Sequence, residues 1–525
     1  MLLRLPFVSI IFFGLISCQQ SEKATPPNIL FCIADDASFP HMSAYGNEWV
    51  NTPAFDKVAR EGILFMNAYT PNAKCAPSRS CILTGRNSWQ LEEAANHWPF
   101  FPAKFKTYVE ALSENGYFTG YTGKGWGPGV AGTVDGAPRM LAGPEFQNHT
   151  LTPPTSNISG KDYSANFIDF LEQAPDEAPW CFWYGAHEPH RAYQYGSGAK
   201  LGAKNVAMID EVPAMWPDTD TVRNDLLDYA LELEYFDQHL SNMIAELDSR
   251  GQLENTIIVV TSDNGMPFPR VKSQEYEMSN HLPLAIMWPA GIKNPGRSVV
   301  DFVSFIDFAP TFIELAGIPW ETTGMADSPG KSLTDIFNSE KEGRVTDTRD
   351  FVVFGKERHD VGRPDDAGYP IRGIVKGGYL YVRNYSPDLW PAGNPETGYL
   401  ATDGGATKSE ILRMRRDRSN EQYWQWNFGK RPAEELYQIS EDPYCINNLI
   451  GLLETESTYA DLKKQLADVL VAQEDPRVNG NGNVFETYMY SDDRSRNFYH
   501  RFMAGEEMNA GWVEPTDFEK DLITQ

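Results

Sequence analysis

Cys75 stands in a segment whose residue types could bind and activate an anion. The segment reads Cys75-Ala76-Pro77-Ser78-Arg79. Proline is favoured in the first turn of a helix, so the spacing predicts that Cys75 lies at a helix N-terminus, where free backbone N–H groups and the helix dipole attract anions. Arg79 lies one helical turn further on and can pair with such an anion. The alternative, a structural cysteine in a surface helix, does not account for the Pro-Ser-Arg context.

Two polar pairs follow directly on apolar runs, and they offer the oxygen ligands of a hard cation. Asp35-Asp36 ends the run that starts at Asn28, and Asp263-Asn264 follows the run Ile257-Ile258-Val259-Val260. Carboxylate and amide oxygens suit calcium or magnesium. Taken separately, each pair is more often a turn or a solvated cap than a metal site. Together with Cys75, they favour a metal site.

The cysteine segment resembles the signature of formylglycine-dependent sulfatases, in which a maturation enzyme oxidises the motif cysteine to formylglycine. The residues that match are Cys75, Pro77, Ser78, Arg79, Leu83, Thr84, Gly85 and Arg86. Other segments resemble further motifs of that family: Asn51-Thr52-Pro53, Asn67-Ala68-Tyr69, Gly123-Lys124, His187-Glu188-Pro189-His190-Arg191, Thr261 to Gly265, Glu435-Leu436-Tyr437 and Asp442-Pro443. The likeness is greatest to the heparan N-sulfatase branch, through the histidine motif and through Asn264 to Pro269.

The resemblance implies roles for individual residues. The metal ligands are expected to be Asp35, Asp36, Cys75 (as formylglycine), Asp263 and Asn264, with Ca²⁺ favoured over Mg²⁺. Hydrated formylglycine attacks sulfur while the cation, Arg79, Lys124 and Lys272 neutralise the sulfate oxygens. His187, assisted by Lys272, is expected to protonate the departing sugar oxygen or nitrogen.

The chain departs from the family pattern two residues after the motif lysine. The family usually has a histidine there, as the base that returns the hydrated intermediate to the aldehyde, whereas this chain has Trp126. The identity of that base is therefore left open by the sequence.

Substrate contacts are expected from polar and aromatic residues around these motifs. The candidates are His41, Trp126, His190, Arg191, His359 and Arg363. They could bind the hydroxyls or the carboxylate of a uronic sugar, and Trp126 could stack on a sugar face. A solvated loop with mutually balanced charges is the alternative for His359 and Arg363.

Apolar runs and helical segments alternate along most of the chain, which predicts an α/β fold. Asn28–Ala34, Trp180–Tyr184 and Ile257–Val260 are predicted to be buried parallel strands whose polar C-terminal ends converge. Helices are predicted over residues 53–60, 105–115 and 226–250, each ending at a glycine. The family resemblance implies an alkaline-phosphatase-like domain with a central, mostly parallel sheet.

A smaller α+β C-terminal domain is predicted after residue 370. Two short β-like runs, Ile371–Val375 and Tyr379–Val382, flank Lys376-Gly377-Gly378 and predict a hairpin, and residues 454–473 predict a helix. The catalytic domain is therefore expected to span residues 28–370 and the C-terminal subdomain residues 371–525.

The N-terminal residues have the features of an export signal. Arg4 precedes an apolar run from Phe7 to Ile16, and a small residue stands directly before Cys18. This arrangement resembles the lipobox of bacterial lipoproteins, so we expect a signal peptide over 1–18, a lipid on Cys18 as the only membrane attachment, and a polar tether over 19–27. The mature protein would then be periplasmic or an outer-membrane lipoprotein. A plain secretory signal is the alternative.

The composition sets limits on partners and on disulfides. The 525 residues carry a formal net charge of −27, which argues against nucleic acid as a partner. A locally positive pocket remains compatible with that charge, because salt screens distant groups. Five cysteines follow Cys18, and an odd number does not form a disulfide framework. Cys32 and Cys181 lie in apolar stretches and are expected to be core residues.

Three functions are compatible with these residues. The first is a sulfatase that removes O-sulfate or N-sulfate from a sulfated oligosaccharide or polysaccharide, such as ulvan, another algal polymer or a glycosaminoglycan. The second is a phosphatase or phosphonate hydrolase of the same superfamily, which would normally show Thr or Ser as nucleophile. The third, motivated by Trp126, is a lipoprotein that binds sulfated glycans without turnover. The cysteine motif favours the first.

Overall fold

The computed structural model describes residues 26–523, so Cys18, the signal peptide and tether residues 19–25 lie outside the described residues. Its strands are β1 (Asn28–Ala34), β2 (Ile63–Phe65), β3 (Ala68–Tyr69), β4 (Phe118–Gly123), β5 (Thr133–Val134), β6 (Ala137–Pro138), β7 (Trp180–Gly185), β8 (Thr256–Ser262), β9 (Leu284–Met287), β10 (Arg297–Val299), β11 (Val303–Ser304), β12 (Phe351–Lys356), β13 (Ile371–Lys376), β14 (Tyr379–Asn384) and β15 (Glu434–Gln438). Its helices are α1 (Pro53–Arg60), α2 (Cys75–Thr84), α3 (Tyr108–Glu114), α4 (Tyr163–Gln173), α5 (Ser197–Leu201), α6 (Asp220–Ser249), α7 (Glu277–Asn280), α8 (Phe308–Leu315), α9 (Thr334–Phe337), α10 (Ala406–Arg416), α11 (Gln422–Phe428), α12 (Glu456–Ala472), α13 (Val484–Thr487) and α14 (Phe498–Met503).

A central, mostly parallel sheet of seven strands confirms the predicted α/β class. The strand order is β10-β2-β9-β8-β1-β7-β4. The neighbours β8, β1, β7 and β4 run parallel, whereas β9 runs antiparallel to both β8 and β2. The three predicted buried strands are β1, β7 and β8, and they lie side by side. Their C-terminal ends therefore meet at one edge of the sheet, where ligands bind in such folds.

Strand β1 shows how the sheet divides the core into two layers. Leu30, Cys32 and Ala34 pack with residues of α1, α4 and α6 on one face. Ile29, Phe31 and Ile33 pack with α2, α3 and α8 on the other face. Successive side chains of a strand point to opposite faces, so a continuous apolar run is required where both faces are covered.

The predicted helices are present, but two of them begin elsewhere. α1 spans Pro53–Arg60 as predicted. α3 begins at Tyr108 rather than at residue 105, because the Thr107 side chain accepts a hydrogen bond from the Glu110 N–H and caps the helix there. α6 begins at Asp220, six residues earlier than predicted, with Thr219 as its cap.

The small antiparallel sheet has the order β12-β13-β14-β15 and contains the predicted hairpin. α12 packs on it through Leu462, Leu466 and Leu470, which recur at one face of the helix. Strand β12 precedes the predicted boundary at residue 370 yet pairs with β13 along its whole length. The small sheet therefore takes its first strand from before that boundary, which apolar patterning alone did not reveal.

The five cysteines among residues 26–523 are free and buried. Cys32 lies in β1 and Cys181 in β7, which confirms them as core residues. Across the described part of the chain, we find no helix with the length and apolarity needed to cross a membrane.

Candidate active site

The ends of β1 and β8 bring the two predicted polar pairs together. Asp35 and Asp36 follow β1, and Asp263 and Asn264 follow β8, its parallel neighbour. The Asp36 backbone N–H donates to Asp263 Oδ1 at 3.1 Å, and Asn264 Nδ2 donates to Asp36 Oδ1 at 2.7 Å. Asp36 has a φ of 77°, a left-handed conformation that is costly for aspartate and typical of functional sites.

Cys75 is the first residue of α2, as the proline spacing predicts, and it lies beside this carboxylate cluster. Its Sγ is 3.4 Å from Asp35 Oδ1 and 4.0 Å from Asp36 Oδ1. Burial, followed by the negative charge of Asp35, raises the pKa of the thiol well above its usual range. The unmodified side chain is therefore a neutral thiol and not an activated thiolate.

Arg79 is fully buried and organises the cluster. Its Nε donates to Asp263 Oδ2 at 2.8 Å, and its Nη2 lies 3.5 Å from Asp35 Oδ1. Its Nη1 donates to the carbonyls of Lys124 and Gly125 at 2.7 and 3.0 Å. Arg79 thus fixes both carboxylates relative to the segment that carries Lys124.

Two lysines contact different carboxylates of the same cluster. Lys124 Nζ lies 2.7 Å from Asp35 Oδ2, and Lys272 Nζ lies 2.7 Å from Asp36 Oδ2. Lys272 also pairs with Asp403 Oδ2 at 2.8 Å. Although burial alone lowers the pKa of each ammonium group, the carboxylates outweigh it and raise both pKa values, so both lysines are charged.

The cluster fits a hard divalent cation. Ligand atoms of Asp35, Asp36, Cys75 and Asp263 all lie within 4.8 Å of one another. Asn264 Oδ1 is buried and has no hydrogen-bond partner among residues 26–523. Burial and repulsion from Asp35 raise the pKa of Asp263 to about 7. A cation would offset that repulsion and give the Asn264 oxygen a partner, and an oxygen-rich set suits calcium or magnesium.

A cavity of about 570 Å³ opens above Cys75. Five predicted residues line it besides Cys75 and the two lysines: Asp35, Trp126, His187, His190 and Arg191. Burial lowers the pKa of His187 to about 4, and its backbone N–H contacts the Tyr163 hydroxyl at 3.1 Å. Atoms of His190, Asp35 and Cys75 lie within 4.8 Å of one another. The structure therefore places His190 beside Cys75.

Trp126 and Arg191 are both held by protein contacts at the cavity wall. The Trp126 Nε1–H donates to Ser80 Oγ at 2.8 Å, and the ring packs edge-on against Phe101. The Arg191 guanidinium forms a two-point ion pair with Asp225 at 2.8 and 2.7 Å. Arg191 is therefore committed to a structural pair, while Trp126 lines the cavity and has its indole N–H bound to Ser80.

The structure places the other three predicted substrate contacts elsewhere. His41 lies in a second cavity and contacts the Tyr229 hydroxyl at 3.3 Å. His359 is buried and contacts Asn72 Oδ1 at 2.8 Å. Arg363 is buried and donates to the carbonyls of Trp390 and Pro391. None of these three side chains lines the cavity above Cys75, and each has a contact to another protein group.

Several cavity residues were not predicted from the sequence. They are Lys74, His97, Trp98, Glu188, Glu232, Asp360, Asp403 and Trp512. Lys74 and Asp360 could have been found as the chain neighbours of Cys75 and His359. Asp403 and Trp512 lie far along the chain and carry no local signal, since only the tertiary fold brings them to the cavity.

A mostly parallel sheet, with a carboxylate cluster beside a buried cysteine at its strand ends, defines the chain as an α/β protein with a candidate active site at that edge of the sheet. Within that class, the chain belongs to the sulfatase family, because the family described as Sulfatase matches residues 27–318.

Two characterised relatives and one solved structure illustrate the similarity. An ulvan-active sulfatase of Formosa agariphila is 26% identical over 517 residues, which cover 89% of this chain and 81% of the relative. The human N-sulphoglucosamine sulphohydrolase is 27% identical over 484 residues, covering 85% and 90%. A protein solved in complex with its substrate, D-glucosamine-2-N,6-O-disulfate, has a TM-score of 0.60 at 20% identity, covering 86% of this chain and 98% of that chain.

Proposed function

We propose that this chain is a sulfatase that hydrolyses sulfate from a sulfated carbohydrate through a formylglycine made from Cys75. The observation that carries the proposal is the position of Cys75, which lines the cavity and lies beside Asp35, the carboxylate that Lys124 also contacts. The membership of residues 27–318 in the sulfatase family supports it.

The residues around Cys75 have different roles in the proposed reaction. Lys124 and Lys272 neutralise the negative charge of the sulfate oxygens, because both ammonium groups are charged and fixed at the cluster. Arg79 holds Asp35 and Asp263 in place. His187 and Lys272 both line the cavity; because burial keeps the His187 ring neutral, the proton for the departing oxygen or nitrogen of the sugar comes from the charged Lys272.

Two groups complete the site. Asp35, Asp36, Asp263, Asn264 and residue 75 would hold calcium, which would supply positive charge beside the sulfate, and a formylglycine at residue 75 would supply the attacking hydroxyl. The chain's own residues keep bulk water from this centre, since Asp36, Arg79, Asp263 and Asn264 are all fully buried.

The substrate class follows from the relatives and from the wall of the cavity. Ulvan and N-sulphoglucosamine appear in the names of two relatives. Trp126 offers an aromatic face at the cavity, which suits the apolar face of a sugar ring. We therefore propose sulfated oligosaccharides of an algal polymer or a glycosaminoglycan, with either O-sulfate or N-sulfate as the scissile group.

The cellular setting is a separate part of the proposal. A lipid on Cys18 would attach the chain to the periplasmic or outer face of a membrane, and residues 19–27 would form the tether. A formylglycine-generating enzyme would have to act before Cys75 becomes buried, because the folded protein leaves only 1% of this residue exposed.

Sulfate release tests the proposal most simply. Protein produced together with a maturation enzyme is incubated with a panel of sulfated saccharides and with phosphate and phosphonate esters. We expect sulfate from at least one saccharide, and at least a 1,000-fold loss in Cys75→Ala, since the nucleophile is removed. Cys81→Ala is the matched control, because Cys81 is buried in the same helix α2 but packs in the core, so it should retain activity.

The two competing functions predict different outcomes. Hydrolysis of phosphate or phosphonate esters without sulfate release would favour the phosphatase function. Tight binding of a sulfated glycan by fully modified protein, with no sulfate released, would favour the non-catalytic function that Trp126 motivates.

A further inference from the structure

A cluster of three side chains forms a second polar group on the cavity wall, separate from the metal ligands. We name it the Lys74–Asp360–His97 cluster. Lys74 Nζ lies 2.8 Å from Asp360 Oδ2, and His97 Nδ1 lies 2.9 Å from Asp360 Oδ1. All three side chains are buried, and all three line the cavity above Cys75.

The charges in this cluster fix the tautomer of His97. Although burial alone raises the pKa of Asp360, Lys74 and His97 outweigh it and hold that pKa well below its usual range. Burial lowers the pKa of His97 to about 4, despite Asp360, so its ring is neutral at neutral pH. A carboxylate only accepts, so the ring proton lies on Nδ1, which donates to Asp360. Nε2 therefore carries a lone pair and is an acceptor.

That acceptor has no partner within the part of the chain that the structure describes. His97 Nε2 is buried, and residues 26–523 provide no hydrogen bond to it. His281 provides the contrast: it is also buried beside a carboxylate, but its Nδ1 lies 2.7 Å from Glu277 and its Nε2 lies 3.0 Å from the Met66 carbonyl. Buried polar groups normally have a hydrogen-bond partner, so we expect the Nε2 atom of His97 to accept a hydrogen bond from a bound molecule.

We infer that His97, oriented by Asp360, accepts a hydrogen bond from a hydroxyl of the sugar that bears the sulfate. This deepens the proposed function and rests on it, because it concerns the leaving-group side of the same cavity. A neutral acceptor selects a donor, so the recognised group is a hydroxyl and not a carboxylate or a second sulfate. Lys74 keeps Asp360 ionised and is a positioning residue.

Two tryptophans next to the cluster complete a site for a saccharide ring. Trp98 follows His97 directly, and Trp512 comes from the C-terminal segment; both are half-buried at the cavity. Trp512 is fixed by its Nε1–H, which donates to the Leu400 carbonyl at 2.8 Å, and by its own carbonyl, which accepts from Gly404 N–H at 2.7 Å. Aromatic faces beside a single hydroxyl acceptor suit a sugar ring with one apolar face.

A purely structural role is the competing explanation. The His97 backbone N–H donates to the Arg358 carbonyl, and the Arg358 backbone N–H donates to the side-chain oxygen Asn96 Oδ1, so two hydrogen bonds already join the two segments without the His97 ring. If the cluster only strengthens that joint, removing His97 will lower stability without changing the selectivity for sugar.

The test compares a sulfated saccharide, whose sugar ring occupies the sugar subsite, with inorganic sulfate, which has no sugar ring to bind there. The proteins are wild type, His97→Phe, which removes the acceptor, and His97→Gln, whose amide oxygen can replace Nε2. His281→Phe is the matched control, since it removes a buried histidine with a carboxylate partner outside this cavity. KM is measured with the best saccharide among N-sulfoglucosamine, N-acetylglucosamine 6-sulfate and sulfated ulvan disaccharide, and Ki with inorganic sulfate.

We expect His97→Phe to raise KM about tenfold, the usual effect of one lost hydrogen bond, and to leave Ki for sulfate within about twofold of wild type. His97→Gln should recover most of the loss, and His281→Phe should match wild type in both constants. Equal changes in KM and Ki, or no change in either, would overturn the inference while the sulfatase function stands. A wild-type protein that releases no sulfate would overturn the proposed function, and the inference with it.

Discussion

At the scale of single residues, Lys272 stands out because two carboxylates hold it. Its Nζ lies 2.7 Å from Asp36 and 2.8 Å from Asp403, and Asp403 comes from a distant part of the chain. Asp403 is thus a positioning residue, because it gives the Lys272 ammonium group a second carboxylate partner besides Asp36. A positioned charge is worth most where water is excluded, as it is at this buried pair.

Asp403→Asn is expected to lower kcat by about tenfold to a hundredfold, because a shift of about 1 Å in a catalytic group has an effect of this size. The metal content should stay at the wild-type level, since Asp403 is not expected to bind the cation. Steady-state kinetics and elemental analysis measure the two quantities. Asp388→Asn, at an exposed position, is the control and should behave as wild type. Loss of metal together with activity would show that Asp403 belongs to the metal site.

The unpartnered oxygen of Asn264 leads to a prediction about the cation. Asn264→Ala removes one ligand and is expected to weaken calcium binding by about tenfold or more. Activity is measured as Ca²⁺ is returned to protein stripped with a chelator, and the half-saturating concentration is compared with wild type. Asn242→Ala, exposed on α6, should leave that concentration unchanged. Full activity in the chelator would contradict a role for a divalent cation.

At the scale of elements, α12 stabilises the small sheet through one row of leucines. Leu462, Leu466 and Leu470 pack against Ile374, Tyr381 and Leu436. This contact covers one face of a four-stranded sheet that would otherwise be open to water. The helix therefore holds in place the sheet whose first strand, β12, leads into Asp360.

Leu466→Ala is expected to lower the free energy of unfolding by about 2–5 kcal/mol, because the leucine is buried and leaves a cavity. Lys464→Ala on the exposed face of the same helix is the control, with an expected change within about 0.5 kcal/mol. Urea unfolding followed by tryptophan fluorescence measures both. A Leu466→Ala variant as stable as the control would show that α12 does not stabilise this sheet.

The elements also show why some features could be predicted from sequence and others could not. β1 and β8 were predictable because both faces are buried, which requires uninterrupted apolar runs, and their polar ends followed from the parallel arrangement. The start of α3 was missed because a single cap at Thr107 outweighs the apolar residues before it. The cavity wall was predicted only in part, because Asp403 and Trp512 reach it only through the tertiary fold.

At the scale of the whole molecule, buried histidines couple folding to pH. Burial lowers the pKa of His239 from 6.5 to about 4, and its Nδ1 contacts the Ser164 hydroxyl at 3.2 Å as a neutral ring can. In the unfolded chain His239 binds a proton near pH 6.5, whereas in the folded protein it binds that proton only near pH 4. This histidine therefore costs no stability above pH 6.5 and makes the fold less stable as the pH falls below that value.

His239→Gln removes this proton uptake from the unfolded state. The free energy of unfolding of the wild type should therefore fall relative to the variant by about 1.4 kcal/mol per pH unit as the pH drops from 6.5 towards 4. Urea unfolding at a series of pH values measures the difference. Parallel pH profiles for the two proteins would show that His239 titrates normally in the fold.

The central claim is that Cys75 becomes the catalytic aldehyde, and mass spectrometry of the Cys75 peptide tests it most directly. Protein made with and without a formylglycine-generating enzyme is digested, and the modified fraction of the peptide is compared with the rate of sulfate release. We expect the peptide to show the mass of formylglycine and the rate to rise in proportion to the modified fraction. An unmodified thiol in protein that releases sulfate at full rate would contradict the account.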